Sequence, residues 1–299
     1  MKINKIHSLL FLLGISIFIS NCSDSLSDTT DGRLRYWIST LSSDEFEGRA
    51  PGTEGGQLTK NFISKTFQDF DLDPVDGSYF LDVPASEITL KDSSYLTLSF
   101  RGNDRKMITG DEVVFWTKQA RDYRKIRDSE VVFVGYGIVA PEYNWNDYEG
   151  VDVKGKTVVI LINDPGFATG KLRLFNGRSM TYYGRWTYKF EEAARQGAAA
   201  AIIVHEEEPA AYPWSVVENS WQGPQLDLQR DDLGADRVIL EGWIKDNILN
   251  DVLNFTGFDY DSLKQIALEK TFSAFPLRGL TLSSEIHNKV RYLQSHNIA

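Results

Sequence analysis

The residues that most often hold zinc or act as nucleophiles are few in this sequence. It carries four histidines and one cysteine. His205 opens an H-E-E-E run but lacks the i, i+4 histidine of a helical zinc motif, and no paired-carboxylate motif lies between His287 and His296. Ser179 lacks the second glycine of a G-x-S-x-G nucleophile elbow. The spacing therefore favours an ordinary surface histidine at His205, and it predicts no catalytic residue and no metal ligand.

The single cysteine, Cys22, follows a segment with the features of an export signal. Lys2 and Lys5 precede an apolar stretch, residues 8–19, that is shorter than the roughly 20 residues a membrane-spanning helix needs. The Ile-Ser-Asn-Cys sequence at 19–22 resembles a bacterial lipobox, in which the thiol carries diacylglycerol. The alternative is an ordinary signal peptide with an incidental cysteine. Because a lone cysteine forms no internal disulfide, we expect lipidation of Cys22, with the lipid as the contact to the membrane.

This anchor predicts a location in the bacterial cell envelope, on either the periplasmic face or the cell surface. The body of the chain is acidic, since the formal net charge is −10 and residues 1–21 contain two lysines and no acid. The remaining residues therefore sum to −12, from 30 basic and 42 acidic side chains. An acidic body argues against nucleic acid as a partner. Gly135-Tyr136-Gly137 lacks the third glycine of a dinucleotide fingerprint, which argues against a nucleotide cofactor.

Hydrophobic periodicity predicts the elements that must position any site. Amphipathic helices are expected at 31–42, after an N-cap at Thr53, at 188–197, and after N-caps at Asp246 and Asp261. Residues 118–129 have the composition of a charged, solvated connector. Buried or alternating strands are expected at 79–116, 130–137, 157–162, 198–205 and 238–244, with two further strands in 276–298.

Two places contain side chains suited to contacting a peptide or another protein. Arg49 lies in a Gly- and Pro-rich loop, where an ion pair that fixes the loop is the alternative to substrate contact. Tyr182, Tyr183, Arg185 and Trp186 belong to an aromatic and basic stretch without clear period. They form either a surface facing the cleft or a partner, or packing within the core or between domains. The sequence leaves both alternatives open.

The middle of the chain resembles a known family. VGYGIVAPEYNWNDYEGVDVKGKTVVILINDPG, followed by FNGRSMTYYGRWTYKFEEAARQGAAAAIIVH, resembles a protease-associated domain. It is most similar to the version inserted in secreted zinc exopeptidases of metallopeptidase family twenty-eight, of aminopeptidase and glutamate carboxypeptidase type. LSSDEFEGRAPGTEGGQLTKNFISKTFQDFDLDP resembles the segment that opens the peptidase domain. The last five residues, Ser295 to Ala299, resemble the strand that re-enters it.

The resemblance implies an α/β plus β-rich fold. A protease-associated domain, expected as a β-sandwich or barrel with short helices, would be inserted in an incomplete α/β zinc-peptidase domain. It also implies a hydrolase that cleaves peptides with zinc. In that family the zinc ligands lie after the strand at which this sequence ends, so zinc is expected only for the complete enzyme. The expected organisation is a signal peptide at 1–21, a tether at 22–30, an amino-terminal peptidase segment at 31–117, the protease-associated domain at 118–275 and return strands at 276–299.

Two hypotheses about function follow from the resemblance. In the first, the chain is the amino-terminal half of a lipid-anchored aminopeptidase, truncated and inactive alone, which binds peptide substrate or a complementing catalytic polypeptide. In the second, it is a stand-alone protease-associated module that binds peptides or proteins.

Overall fold

A computed structural model of the chain describes residues 30–299. The expected signal peptide and lipidated Cys22 lie outside the described residues. The chain divides into two compact units. The smaller unit contains residues 30–83 together with Leu293–Ala299, and the larger unit is Pro84–Tyr292. The sequence placed its boundaries at 117/118 and 275/276. The difference arises because strands within 84–117 and 276–292 hydrogen-bond to the central strands of the larger unit.

The smaller unit is built around two helices, α1 (Thr30–Leu41) and α2 (Glu54–Asp69), joined through a 3-10 helix at Asp44–Arg49. The predicted cap is confirmed, since Thr53 Oγ1 accepts a hydrogen bond from Gly56 N at 3.1 Å. Gly55 lies so close to the loop that a Cβ there would meet the Phe46 carbonyl oxygen at 1.9 Å. Only a glycine fits this contact between helix and loop.

The larger unit is organised by a mixed sheet of ten strands. A path of eight strands has the order β10-β1-β12-β5-β8-β9-β11-β4, with β2 paired to β12 and β3 to β2. A separate two-stranded sheet joins β6 to β7. The strands are β1 (Phe80–Leu90), β2 (Tyr95–Phe100), β3 (Asn103–Lys106), β4 (Val113–Trp116), β5 (Tyr123–Phe133), β6 (Val139–Ala140), β7 (Trp145–Asn146), β8 (Thr157–Leu161), β9 (Ala200–His205), β10 (Pro224–Leu228), β11 (Leu240–Lys245) and β12 (Phe275–Ile298).

Four neighbouring strands of this sheet, β5, β8, β9 and β11, run parallel. Every residue of β8 and β9 is buried, so their side chains pack on both faces of the sheet. Continuous apolar runs such as TVVIL and AAIIVH are typical of parallel strands covered on both sides. Two hydrophobic clusters result, one containing Phe133 and Val159 and the other Ile160 and Trp243. These clusters fix the strand ends that position the candidate site.

Six helices belong to the larger unit; the three that the sequence predicted there are confirmed, and the other three were not predicted. They are α3 (Pro165–Thr169), α4 (Trp186–Arg195), α5 (Glu207–Ala210), α6 (Trp214–Ser220), α7 (Asp246–Asn254) and α8 (Tyr260–Ile266). Two predicted caps are wrong by one or two residues. Lys245 occupies the N-cap of α7, which places Asp246 in the first turn. Asp259 rather than Asp261 caps α8, accepting a hydrogen bond from Ser262 N at 2.8 Å.

Three expectations about strands differ from the structure. Residues 276–298 form one continuous strand, because register shifts near Pro276 and Leu282 absorb the breaks in alternation. The charged segment expected as a connector is largely strand, since β5 begins at Tyr123 and pairs with β12. The mixed α/β character is confirmed. However, the strands of the larger unit follow one mixed sheet, where the sequence led us to expect a sandwich or barrel.

Candidate functional site

Arg49 lies in the smaller unit and fixes a loop. Its guanidinium donates a hydrogen bond to the Leu41 carbonyl at the end of α1, where the sequence had suggested an ion pair. Arg49 also lines a cavity of about 370 Å³ with Lys60 and His296. Lys60 Nζ lies 3.0 Å from His296 Nδ1, and His296 Nε2 lies 3.3 Å from Asp82 Oδ1. The polar side chains of Lys60 and His296 therefore have partners within the smaller unit.

His205 is buried, which corrects the expectation of a surface histidine. Its ring is 3% exposed and packs against Tyr212, Trp214 and Trp243. Nε2 lies 3.1 Å from the Tyr212 carbonyl oxygen. Burial lowers the pKa of His205, so the ring is held in its neutral form. The residue therefore has a packing role at the end of β9.

The aromatic stretch expected to face a cleft or partner is divided between surface and core. Tyr182 is 54% exposed, and its hydroxyl donates to Glu191 at 2.7 Å. Arg185 is exposed, and its guanidinium forms neither a hydrogen bond nor an ion pair with any residue of 30–299. Both side chains are available for contact with a ligand.

Tyr183 and Trp186 contribute mainly to packing. The Tyr183 ring contacts Phe175 and Tyr188 at centroid distances of 5.7 and 5.0 Å. Its hydroxyl donates to Glu142 at 2.6 Å, and this hydrogen bond, together with burial, raises the pKa of Tyr183 to about 12. The Trp186 ring lies edge-on to Trp221 at 5.4 Å. Of the predicted contact residues, Tyr182 and Arg185 are therefore the exposed ones.

These two residues belong to a longer surface, residues 171–186, which we call the basic segment. It carries four basic side chains and no acid, in a chain whose net charge is −10. Lys171, Arg173, Arg178 and Arg185 are all exposed. Three large apolar side chains are exposed among them, namely Leu172, Met180 and Tyr182. The basic segment thus combines positive charge with apolar contact area.

Next to the basic segment lies a cavity at the carboxyl ends of the parallel strands, which we call the strand-edge pocket. Its volume is about 270 Å³. Tyr136 follows β5, Asn163 and Asp164 follow β8, and Glu206 follows β9, so the sheet order brings these residues to one edge. Open parallel sheets commonly bind ligands in this position. Arg178 of the basic segment also lines the pocket.

The floor of the strand-edge pocket is held by a hydrogen-bonded turn. Asn163 adopts a left-handed conformation with φ 67°, and its Nδ2 donates to the Pro209 carbonyl at 2.8 Å. Asp164 Oδ1 accepts from Gly166 N at 3.0 Å, which caps α3. Asp164 Oδ2 accepts from Thr181 Oγ1 at 2.8 Å, which ties the basic segment to the pocket. The hydrogen bonds of Asn163 and Asp164 thus fix the shape of the pocket floor.

Beneath the floor lie two buried ionisable side chains, Lys189 and Asp147. Lys189, on α4, is fully buried, and its Nζ donates to the Tyr136 carbonyl at 2.6 Å. Asp147 accepts hydrogen bonds from Ile138 N and Trp145 Nε1 at 2.9 and 2.7 Å. Burial lowers the pKa of Lys189 and raises the pKa of Asp147, because each charge has left water, and their mutual attraction opposes both shifts. Their hydrogen bonds to the Tyr136 carbonyl and to Ile138 N hold the turn that follows β5.

Two ion pairs line the strand-edge pocket itself. Lys264 Nζ lies 2.8 Å from Glu206 Oε1, and both side chains are mostly buried. Arg178 lies 2.6 Å from Glu208 Oε1, and both are mostly exposed. Sequence reasoning missed Glu206 and Lys264. The available signal was the position of polar residues directly after the apolar strands, at Asn163-Asp164 and at Glu206.

The zinc ligands that the family resemblance implies lie beyond Ala299, so a zinc site there stays a prediction. Within residues 30–299, no group of three or more His, Cys, Asp or Glu side chains is placed to hold a metal ion. No helix in the same range is long and apolar enough to cross a membrane. The chemistry visible at the strand-edge pocket is binding through charge and hydrogen bonds.

Comparison with known proteins gives a distant structural likeness. The sequence matches no protein-family model, and no curated protein matches it significantly. Among solved structures, an aminopeptidase from Aneurinibacillus sp. strain AM-1 is similar at a TM-score of 0.39 and 18% sequence identity. The match covers 87% of this chain and 48% of the aminopeptidase, so this chain spans about half the length of that protein. A likeness this distant concerns backbone arrangement and assigns no role to a residue.

Proposed function

We propose that this chain is the peptide-recognising part of an envelope exopeptidase of the aminopeptidase type, held at the membrane by a lipid on Cys22. The zinc chemistry would come from a complementing catalytic polypeptide, either a continuation of this chain or a separate one. The sequence resemblance supports the family, since it covers the peptidase-opening segment and the protease-associated stretch. No catalytic step is assigned to residues 30–299.

The basic segment is the observation that carries the proposal. Its four exposed cations lie within an acidic chain, and its exposed Tyr182 adds an amphipathic contact surface. Aromatic and arginine side chains are the residues that most often dominate peptide and protein contacts. The free guanidinium of Arg185 can pair with a carboxylate of a bound peptide. The surface therefore suits peptides that carry acidic groups.

A binding measurement on the full chain tests this role. We expect a fluorescein-labelled acidic pentapeptide to bind more tightly than its lysine-substituted counterpart in fluorescence anisotropy. Arg185→Ala should weaken binding of the acidic peptide about tenfold, as expected for loss of one charge-assisted contact, without lowering the unfolding temperature. Trp186→Ala should instead lower the unfolding temperature, because its ring packs on Trp221 and Phe190.

Arg195→Ala is the matched control, because Arg195 is a partly exposed arginine on α4 that is already paired with Glu192 at 2.8 Å. It should leave peptide binding unchanged. Equal binding by the parent chain and the Arg185→Ala variant would contradict the proposed surface. Hydrolysis of leucine p-nitroanilide by the chain alone with added zinc would contradict the proposed division between recognition and catalysis.

A stand-alone binding module is the second candidate. One observation favours it, namely that Pro84–Tyr292 forms a compact unit with two hydrophobic clusters of its own. Both candidates require the same peptide-binding surface. They differ in whether peptidase activity appears when the complementing polypeptide is supplied.

A further inference from the structure

The strand-edge pocket has the size and lining of a site for one small molecule. Its volume of about 270 Å³ lies just below the range of sites for drug-sized ligands, which starts at about 300 Å³. Part of the lining is apolar and includes Phe167 and Leu268. The remaining lining residues supply charged and hydrogen-bonding groups. A ligand with one apolar group and a polar head would match both parts.

The charges of the lining come in two signs. Glu206 and Lys264 form one ion pair, and Arg178 and Glu208 form the other. Lys264 Nζ also lies 3.1 Å from Asp261 Oδ1, whereas Arg178, Glu206 and Glu208 retain further hydrogen-bonding capacity for a ligand. A ligand that carries both an ammonium and a carboxylate can meet a partner of opposite sign at each pair. A ligand with one charge can satisfy only half of this arrangement.

A buried hydroxyl beside the pocket has only a poorly aligned partner. Tyr260 is 6% exposed, and its hydroxyl interacts with the Glu206 carboxylate without reaching normal hydrogen-bond geometry. Burial raises the pKa of Tyr260, and the nearby carboxylate of Glu206 raises it further, so the hydroxyl stays protonated. Lys264 Nζ lies 4.8 Å from the centre of the same ring. A buried hydroxyl with such a weak hydrogen bond is incompletely satisfied, which favours a polar ligand atom next to Glu206 and Lys264.

We propose that the strand-edge pocket binds a free α-amino acid with an apolar side chain, as its zwitterion. The ammonium group would contact Glu206, the carboxylate would contact Arg178, and the side chain would pack against Phe167 and Leu268. This site is separate from the peptide contact of Arg185 and does not depend on it. Because Arg178 belongs to the basic segment, an amino acid bound in the pocket lies next to the peptide-binding surface.

Isothermal titration of the full chain with four small molecules tests the inference. We expect L-leucine to bind. Leucinamide, which lacks the carboxylate, and N-acetyl-leucine, which lacks the ammonium, should each bind about tenfold more weakly, as expected for the loss of one charged contact. Glycine should also bind more weakly, because it has no side chain for the apolar wall.

Variants of the two ion pairs provide the second test. Glu206→Gln and Arg178→Gln should each weaken L-leucine binding about tenfold for the same reason. Arg178 is exposed, so its variant keeps the test valid if Glu206→Gln disturbs folding. Glu285→Gln is the control, because it breaks an ion pair with Lys125 elsewhere in the same unit.

The outcomes separate this inference from the proposed function. If L-leucine does not bind, or if both analogues bind as well as L-leucine, the amino-acid site is wrong. Peptide binding that still depends on Arg185 would in that case leave the proposed function standing. Conversely, leucine binding that depends on Glu206 and Arg178 supports the site whether or not peptides bind.

Discussion

At the residue scale, the buried ionisable groups of the larger unit include Lys189, Asp147 and Glu241. Lys189 and Asp147 lie beneath the strand-edge pocket, and the charge of each opposes the effect of burial on the pKa of the other. Glu241, on β11, is 1% exposed and accepts a hydrogen bond from Trp116 Nε1 at 2.9 Å. Burial raises the pKa of Glu241 to about 7, against the opposing effects of Lys118 and the Trp116 hydrogen bond. Ionisation of Glu241 in the folded protein therefore lowers the free energy of unfolding.

The sign of this effect gives a pH-dependent prediction. Below about pH 4.5, Glu241 is protonated in both the folded and the unfolded chain, so it does not change the free energy of unfolding. Between about pH 4.5 and 7 the unfolded chain loses the proton first, so stability falls as the pH rises. Glu241→Gln should therefore exceed the parent chain in free energy of unfolding by up to about 3 kcal/mol at pH 8, and by little at pH 4.

Urea unfolding of both proteins at the two pH values measures this difference. Glu285→Gln is the control, because the hydrogen bond to Lys125 lowers the pKa of Glu285. That variant should lose stability relative to the parent at high pH, which is the opposite sign. A stability difference between Glu241→Gln and the parent that is the same at pH 4 and pH 8 would show that Glu241 is not buried in this way.

At the element scale, local signals located α1, α2, α4, α7 and α8 but not α3, α5 or α6, and they located the caps less well. Thr53 caps α2 as predicted, because a threonine followed by Glu54 and two glycines leaves one plausible start. Near α8 the sequence offers both Asp259 and Asp261, and the structure uses Asp259. Either aspartate is a suitable N-cap residue, so the residue type alone does not choose between them. Only the backbone geometry of the preceding loop decides between them.

The cap of α2 yields a stability prediction. Thr53→Ala should lower the free energy of unfolding by about 1 kcal/mol, because Gly56 N loses its side-chain acceptor. Thr53→Ser should retain most of the stability. Thr66→Ala is the matched control, since the Thr66 hydroxyl bonds to the Phe62 carbonyl within the helix and caps nothing. Thermal unfolding of the three variants measures the effect, and equal losses at Thr53 and Thr66 would rule out capping.

At the scale of the whole molecule, the two compact units differ in how much of their structure is buried. The described part of the smaller unit contains three buried residues, Phe46, Gly55 and Ser64. The larger unit contains nearly all of the hydrophobic core. We expect the Pro84–Tyr292 unit to carry ligand recognition, because rigid elements position binding groups more accurately than loosely packed ones.

The proposed membrane anchor gives the prediction that concerns the whole chain. Cys22→Ser should shift the protein from the membrane fraction to the soluble fraction of the envelope, because a serine accepts no thioether-linked lipid. Fractionation followed by immunoblotting measures the shift, and mass spectrometry of the parent should find diacylglycerol on an amino-terminal Cys22. A parent protein that is soluble, with an unmodified Cys22, would support the ordinary signal peptide instead.

The sequence by itself determined many of the local elements, the acidic charge and the basic aromatic stretch, because helix and strand periods and charge are properties of neighbouring residues. It did not determine which side chains of that stretch are exposed. Tyr183 and Trp186 are packed in part through contacts with residues distant in sequence, such as Glu142 and Trp221, whereas Tyr182 and Arg185 are exposed.

The strand-edge pocket was decided by the tertiary structure. Glu206 and Lys264 lie 58 residues apart in sequence, and Arg178 and Glu208 lie 30 apart. They meet because β5, β8 and β9 are parallel neighbours, which brings their carboxyl ends to one edge of the sheet. Strand order depends on pairing between residues far apart in sequence, and a local sequence pattern does not predict that pairing. For the same reason, the sequence did not predict that His205, which precedes three glutamates, is buried in the core.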